Sequence, residues 1–128
     1  MALNVEAVLM TKRFETPDEV RPFKDGMGKT EFVDIGGRMV GRGTFEPGWR
    51  WSEHVKPIAQ TDSCEVLHLG YVLQGRMRIH MDNGEVIDLM PGDAFEIPPN
   101  HDAEVTGDEA CVLLDFGEIA HYAQSPGH

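Results

Sequence analysis

The stretch VLHLGYVLQGRMRIHMDNGEVIDLMPGDAFEIPPN, residues 66–100, decides the fold because short apolar runs alternate in it with turn residues. The sequence Asp82-Asn83-Gly84 is its strongest hairpin signal, since Asn-Gly adopts the positive φ angles that a tight hairpin turn requires. Short β-branched and aliphatic runs between such turns are typical of antiparallel strands. The other turns lie at Gly75, at residues 90–93 and at residues 98–100.

Runs of the same kind lie on both sides of this stretch. About nine short strands with turns at regular spacing predict an all-β sandwich or barrel. The additional runs are KTEFVDI (29–35), RMVGRGTFE (38–46), WRWSEHVK (49–56), HDAEV (101–105) and ACVLLDF (110–116).

One short segment has the residues that start a helix. Thr16 can act as the N-cap, Pro17 suits the first helical position, and Glu19 completes a capping box. Pro22 limits this helix to about one or two turns. The sequence therefore predicts a short N-terminal helical turn at most.

Composition and charge exclude several classes of function. A net charge of −11 argues against nucleic-acid binding and against an anionic membrane surface, which both require a basic face. No stretch approaches the roughly 20 apolar residues of a membrane span, and the N-terminus lacks the features of a signal peptide. Two cysteines without a disulfide pattern indicate a cytoplasmic protein with reduced thiols.

The turn skeleton GYVLQG…DNG…MPGD…IPPN resembles that of the cupin superfamily, whose first motif reads G(X)5HXH(X)3–4E(X)6G. Gly48 and five further residues lead to His54, as in the motif. Lys56 stands at the second histidine position. Counting back from Gly75 places His68 at the acidic position, after a longer intervening loop than the motif has.

The second cupin motif, G(X)5PXG(X)2H(X)3N, is matched in part. Gly92 and Pro98 fit it, whereas Asn100 replaces a glycine and Ala103 replaces the histidine. His101 lies two residues before that position and shares its strand parity, so it is a candidate replacement for the missing histidine.

The resemblance implies a double-stranded β-helix, the jelly-roll barrel of the cupins. It implies one domain over residues 1–128, with the barrel core at about 40–117, an N-terminal arm at 1–39 and a C-terminal tail at 118–128. Many cupins pair a strand layer with another subunit, which implies a homodimer.

The resemblance also implies a divalent metal inside the barrel. We assign His54, His68 and His101 as its ligands, because imidazole suits zinc, iron or nickel, and manganese is also considered. Cys64 lies four residues before His68 and a thiolate is a good zinc ligand, but its place in a loop keeps it out of our ligand set. We expect Cys111 to be a small core residue.

Three further residues are candidate ligand contacts. On a strand, Arg50, Ser52, His54 and Lys56 point to the same face. An inward Lys56 or Arg50 would bind an anionic group, and Ser52 would donate a hydrogen bond. The alternative is that Lys56 ends its strand in solvent. Trp49 and Trp51 have the opposite parity and are expected outside the pocket.

Three functions remain open at this point, and one of them is a purely structural interaction protein, which would have a filled barrel and no cavity. The other two use a pocket. The first is a metal-dependent enzyme acting on a small molecule, such as an oxygenase, isomerase or lyase. The second is a metal-free, non-catalytic module that binds or senses a small ligand, because Lys56 and Ala103 do not normally ligate metals. Fold resemblance does not choose among these chemistries.

Overall fold

The computed structural model describes residues 8–126, and this part of the chain forms two antiparallel sheets. The strands are β1 (Glu19–Pro22), β2 (Gly28–Ile35), β3 (Arg38–Phe45), β4 (His68–Gln74), β5 (Met77–Met81), β6 (Val86–Leu89), β7 (Ala94–Ile97), β8 (His101–Val105) and β9 (Cys111–Asp115). The helical segments are a 3₁₀ turn (Lys24–Gly26), α1 (Trp51–His54) and α2 (Lys56–Ala59).

The strand order places the two sheets around one core. The larger sheet has the order β1-β2-β3-β9-β4-β7, and the smaller has the order β6-β5-β8. Alternate side chains of each strand point inward, as the period of two requires. From the larger sheet, Phe32, Val72 and Leu113 are buried; from the smaller, Ile79 and Val105 are buried. The prediction of an all-β jelly roll is confirmed.

A close backbone approach accounts for one glycine of β4. A Cβ atom at Gly70 would lie 1.9 Å from the carbonyl oxygen of Leu114 on the neighbouring β9. Only glycine therefore fits between these strands, and it lets β4 and β9 carry their inward side chains into the same part of the barrel.

The predicted strand 49–56 is wrong, because the chain turns helical there. Arg50 is extended, but the next residues form α1 and then α2, in which Pro57 occupies the first turn. Proline is well tolerated there, since its missing N–H has no intrahelical partner. Gln60, in the left-handed region at φ 61°, ends α2.

The predicted helical turn after Thr16 is also wrong. Residues Glu19–Pro22 instead form β1, which pairs with β2 from Glu19 opposite Phe32 to Pro22 opposite Lys29. Because β1 is an edge strand, Pro22 lacks an N–H without interrupting the sheet. Tertiary pairing therefore overrides the capping signal.

The chain after β9 folds back over one end of the barrel. Ile119, Tyr122 and Ala123 are buried. The guanidinium of Arg21 donates hydrogen bonds of 2.8 Å to the carbonyl oxygens of Ala120 and Tyr122. These two bonds hold the segment against β1. Among residues 8–126, no helix is both long and apolar enough to cross a membrane.

Candidate metal centre

Two inward-facing histidines lie at the first positions of their strands. His68 begins β4 and His101 begins β8, and both side chains are buried. His68 pairs with Ile97 of β7, which lies four residues before His101. The short turn between β7 and β8 therefore carries His101 back beside His68. Their ring centroids are 5.3 Å apart.

The loop before β4 adds a cysteine to this pair. Cys64 forms an isolated β-bridge with His101, in which its N–H donates to the His101 carbonyl at 2.8 Å. The Asn100 N–H donates to the Cys64 carbonyl at 2.7 Å. The Ser63 hydroxyl donates to the carboxylate of Asp82 and fixes the preceding residue. Together these hydrogen bonds direct the Cys64 thiol into the barrel, where Cys64 is buried.

The three side chains lie close enough together to hold one metal ion. One ligand atom from each of Cys64, His68 and His101 lies within 4.8 Å of the others. The Cys64 Sγ and His68 Nε2 atoms are 3.5 Å apart. Zinc bonds of about 2.3 Å to sulfur and about 2.05 Å to nitrogen give a tetrahedral S–N edge of about 3.6 Å. The donor set and its spacing therefore fit a zinc ion.

Both imidazoles are oriented by acceptors on their other nitrogen. His68 Nδ1 donates to Asp115 Oδ2 at 2.5 Å, and His101 Nδ1 donates to the Pro98 carbonyl at 2.7 Å. Because a carbonyl oxygen only accepts, Nδ1 of His101 carries a proton, which leaves Nε2 as the ring nitrogen available to a metal. Metal-binding histidines are usually held in this way.

The electrostatics of the group favour a thiolate. Burial alone would raise the pKa of the Cys64 thiol, but hydrogen bonds from His101 and His68 outweigh it and lower the pKa to about 6. Burial alone would lower the pKa of His68, but Asp115 and Cys64 raise it to about 9. At neutral pH without metal, Cys64 and His68 therefore form a thiolate–imidazolium pair.

The three side chains line a small cavity of about 40 Å³. At about 10–15 Å³ per water molecule, it has room for about three or four waters or a ligand of similar size. Tyr122 packs edge-on against His68, and burial raises the pKa of its hydroxyl well above the usual value. The apolar part of the lining is formed by Phe45, Trp49, Trp51, Met77, Ile79, Phe95, Ile97, Ala103, Leu113 and Ile119.

His54 does not join this group. Its ring is buried within its own helical turn. The backbone N–H of Arg50 donates a hydrogen bond to His54 Nδ1 at 3.0 Å, and Nδ1 also lies 3.1 Å from the Arg50 carbonyl oxygen. The assignment of His54 beside His68 and His101 rested on a strand that does not form. Metal binding by His68 and His101 stays a prediction.

The predicted ligand contacts also lie outside the cavity. The Arg50 guanidinium donates to Glu104 at 2.7 Å, and the exposed Lys56 has its ammonium 3.9 Å from Asp62. The backbone N–H of Ser52 donates to Asp102. None of the three lines the cavity, because a helical turn does not send every second residue to one face.

Sequence reasoning missed three parts of the site. Asp115 points to the same inward face of β9 as Cys111 and Leu113. The available signal was therefore a carboxylate at a strand position where the alternation predicts an apolar side chain. For Cys64, the signal was its spacing of four residues from His68. Tyr122 comes from the tail and had no signal. Trp49 and Trp51, expected outside the pocket, are part of its wall.

Comparison with known proteins agrees with this architecture. The family model for the cupin domain matches residues 42–117, more than half of the chain. None of the curated proteins compared with the chain matches it.

Among solved structures, an RmlC-like cupin from Shewanella frigidimarina is 20% identical, with a TM-score of 0.58 over 87% of this chain and 92% of that one. A protein of unknown function from Acidithiobacillus ferrooxidans is 26% identical, with a TM-score of 0.55 over 77% and 86%. A sugar phosphate isomerase of the cupin superfamily from Silicibacter pomeroyi is 15% identical, with a TM-score of 0.59 over 85% and 75%. The family match and the fold together show that this chain belongs to the cupin domain family.

Proposed function

We propose that the protein is a zinc-dependent cupin enzyme that acts on a small carbonyl compound, with Cys64, His68 and His101 as the metal ligands. Thiolate and imidazole together favour zinc over manganese, which prefers oxygen ligands. Three protein ligands leave a fourth position open, which is typical of catalytic rather than structural zinc sites.

The orientation of the two histidines is the observation that carries the proposal. The Nδ1 atoms of His68 and His101 are both occupied by fixed acceptors, and His68 Nε2 lies 3.5 Å from the Cys64 sulfur. A core histidine that needed only one hydrogen bond would not require this convergence. The arrangement is the one in which outer acceptors hold ligating rings in place.

The chain's own residues prepare the site for a dication. Asp115 fixes the His68 ring, and metal binding displaces the proton on His68 Nε2. Because the pKa of the Cys64 thiol is lowered, the thiolate forms without the help of a strong base. When bound, zinc would supply Lewis acidity that polarises a carbonyl oxygen or lowers the pKa of a bound water. The Tyr122 hydroxyl stays protonated and remains a hydrogen-bond donor in the wall.

The lining favours a neutral substrate over an anionic one. Within residues 8–126, the cavity wall contains no lysine or arginine, since Arg50 and Lys56 lie outside it. Apart from the proposed metal, an anion in this mostly apolar cavity would have no fixed cation beside it, which makes its burial costly. A small neutral carbonyl compound needs only hydrogen-bond donors and a Lewis acid.

Metal content is the first measurement. We expect near-stoichiometric zinc in protein purified without a metal-affinity column, and its loss in Cys64→Ala. The matched control is Cys111→Ala, because Cys111 is equally buried but lies apart from the ligand group. Burial raises the Cys111 pKa to about 12, so it offers no thiolate. A wild type that stays metal-free after incubation with zinc, iron, nickel and manganese would overturn the proposal.

One observation favours a second candidate function, in which Cys64 acts as a thiol nucleophile without a metal. Cys64 Sγ, His68 and Asp115 form a continuous relay, with contacts of 3.5 Å and 2.5 Å, which is the order of a thiol nucleophile, a base and an orienting carboxylate. His101 favours the metal reading, because a nucleophilic relay does not need a second converging imidazole. A metal-free protein whose Cys64 is alkylated far faster than Cys111 would support the nucleophile instead.

We also propose that the protein is a homodimer. Leu69, Tyr71 and Leu73 alternate along the outer face of β4 and are exposed, with Phe116 exposed at the end of neighbouring β9. A second copy covering this row would remove it from water. Light scattering should give twice the monomer mass for the wild type and the monomer mass for Tyr71→Glu. A monomeric wild type at high concentration would contradict the proposal.

A further inference from the structure

A larger recess lies beside the cavity, at the end of the barrel that the chain after β9 covers. This outer groove has a volume of about 430 Å³ and is lined by residues from the stretches 51–66 and 121–126. Trp51, Cys64 and Tyr122 line both the groove and the cavity. These three residues therefore form the boundary between the two spaces.

Two of the three boundary residues are held by regular structure. Trp51 begins α1 and has only 2% of its surface exposed. Cys64 is fixed by the hydrogen bonds of its β-bridge. Tyr122, which packs edge-on against His68, belongs instead to the segment 119–126, which forms no helix or strand. Tyr122 is therefore the boundary residue that can move with the least disruption of the barrel.

Few hydrogen bonds fasten this segment to the barrel. Among residues 8–126, the bonds that tie it to the rest of the chain are those from the Arg21 guanidinium to the carbonyl oxygens of Ala120 and Tyr122, both of 2.8 Å. Ala123 adopts the left-handed conformation at φ 54°, which costs free energy for a residue with a Cβ atom and persists only where its surroundings hold it. Arg21 therefore helps to hold the turn that carries Tyr122.

We propose that Tyr122 is a gate between the outer groove and the cavity, and that Arg21 keeps it closed. In the closed position, the Tyr122 ring separates a molecule in the groove from the sulfur of Cys64. Movement of residues 119–126 joins the 40 Å³ cavity to the 430 Å³ groove, so a compound larger than the closed cavity reaches the proposed metal ligands. Tyr122 thereby selects compounds by size. The gate rests on the proposed metal centre only for calling the entering compound a substrate.

Alkylation of Cys64 in metal-free protein measures passage through the gate without an activity assay. Iodoacetamide is a small neutral reagent and N-phenylmaleimide a bulky neutral one. Each rate is divided by the rate in unfolded protein, and peptide mass spectrometry reads the two cysteines separately. Because both reagents attack the same thiolate, the ratio of their rates does not depend on the pKa of Cys64. We expect the folded wild type to slow N-phenylmaleimide more than iodoacetamide.

Two substitutions at the gate separate the ring of Tyr122 from its hydroxyl. Tyr122→Ala removes the ring, and we expect it to give the largest acceleration of Cys64 alkylation by N-phenylmaleimide. Tyr122→Phe keeps the ring and should react at the wild-type rate. Cys111, buried on β9, is the internal control, because general unfolding would expose its thiol as well.

Arg21→Met tests the gate from a residue that lines neither the cavity nor the groove. We expect it to accelerate the reaction of Cys64 with N-phenylmaleimide about tenfold or more, the factor that one hydrogen bond from a charged group supports. Arg42→Met is the matched control, because both arginines pair with a glutamate and lie over a phenylalanine ring, at 4.5 Å for Arg21 and 5.2 Å for Arg42. The hydrogen bonds of Arg42 go to Glu15 and Glu31, so this variant should react as the wild type does.

Equal rates in Arg21→Met and Arg42→Met would overturn the gate, and so would a wild-type Cys64 that both reagents alkylate as fast as in unfolded protein. Faster alkylation of Cys111 together with Cys64 would also overturn it, because the barrel as a whole would then be opening. A protein that binds no metal but gains a fast Cys64 in Tyr122→Ala and Arg21→Met would overturn the metal centre and leave the gate standing. A zinc-binding protein whose gate variants react as the wild type does would overturn the gate alone.

Discussion

His54 and His68 are equally buried, each with 8% of its surface exposed, yet their surroundings differ completely. Among residues 8–126, the hydrogen bonds of the His54 ring are made to the backbone of Arg50, at the start of its own helical turn. The His68 ring contacts a carboxylate on β9 and the thiol of Cys64 in the loop before β4. Burial alone therefore does not distinguish a structural histidine from a candidate ligand; the partners do.

The difference arises from the backbone around each ring. In α1, residues four apart lie on one face, so the His54 ring folds back onto the residue that precedes the helix. In β4, the inward positions alternate, so His68 faces the interior, where β8 and β9 bring other side chains. A helix satisfies its histidine locally, whereas a barrel interior brings together residues that are distant in sequence.

Removing one histidine at a time gives the largest expected difference between these regions. We expect His68→Ala to lose nearly all bound zinc, because it removes one of three protein ligands. His54→Ala should keep the wild-type metal content, although it leaves a small cavity beside α1. Elemental analysis of both variants, with circular dichroism to verify folding, makes the comparison. Loss of metal in both variants would restore the ligand set predicted from the cupin motif, and retention of metal in His68→Ala would contradict the proposed centre.

The next largest effect is expected from the carboxylate that orients His68. Asp115→Asn keeps the shape but removes the charge that holds the ring, so the zinc affinity should fall about 10–100-fold. Competition with a chelator of known affinity measures the change. Asp88→Asn is the control, since Asp88 is an exposed partner of Arg78 outside the cavity. Equal affinities of Asp115→Asn and wild type would show that the His68–Asp115 contact has only a structural role.

The strands from residue 68 onward were predictable because local signals determine them. Gly84 has φ 96° in the turn between β5 and β6, and Gly92 has φ 97° in the turn between β6 and β7, a conformation that glycine adopts without strain. Each run between turns has a period of two, so inward and outward faces follow directly. The cupin motifs, together with strand parity for His101, placed His68 and His101 inward, and both side chains are buried.

The region from Trp49 to Gln60 could not be predicted in this way. Alternation of tryptophan with polar residues resembles a strand, but the burial of Trp49 and Trp51 depends on the barrel that forms around them. The position of Cys64 likewise depends on its bridge to His101, thirty-seven residues later in the chain. Such contacts are set by tertiary structure, and neither periodicity nor spacing contains them.

The pH dependence of the Cys64 thiol sharpens the comparison in metal-free protein. Because its pKa is lowered to about 6, the thiolate should form as the pH rises through about 6, whereas an ordinary thiol ionises near 9. Ultraviolet thiolate absorbance follows the titration, with Cys64→Ala as the blank. His54→Ala should leave the midpoint unchanged, and Asp115→Asn should raise it, since His68 then loses the partner that favours its positive charge. A midpoint near 9 in the wild type would contradict the thiolate–imidazolium pair.

The smallest effects are expected from the two cations that the sequence placed in the pocket. Arg50→Met and Lys56→Met should change the free energy of unfolding by no more than about 1 kcal/mol, because both side chains form partly exposed ion pairs. Neither should alter the zinc content, because neither side chain lines the cavity. Chemical denaturation measures the stability and elemental analysis measures the zinc. If Arg50→Met lowered the zinc content without destabilising the fold, the helical region around His54 would contribute to the metal site after all.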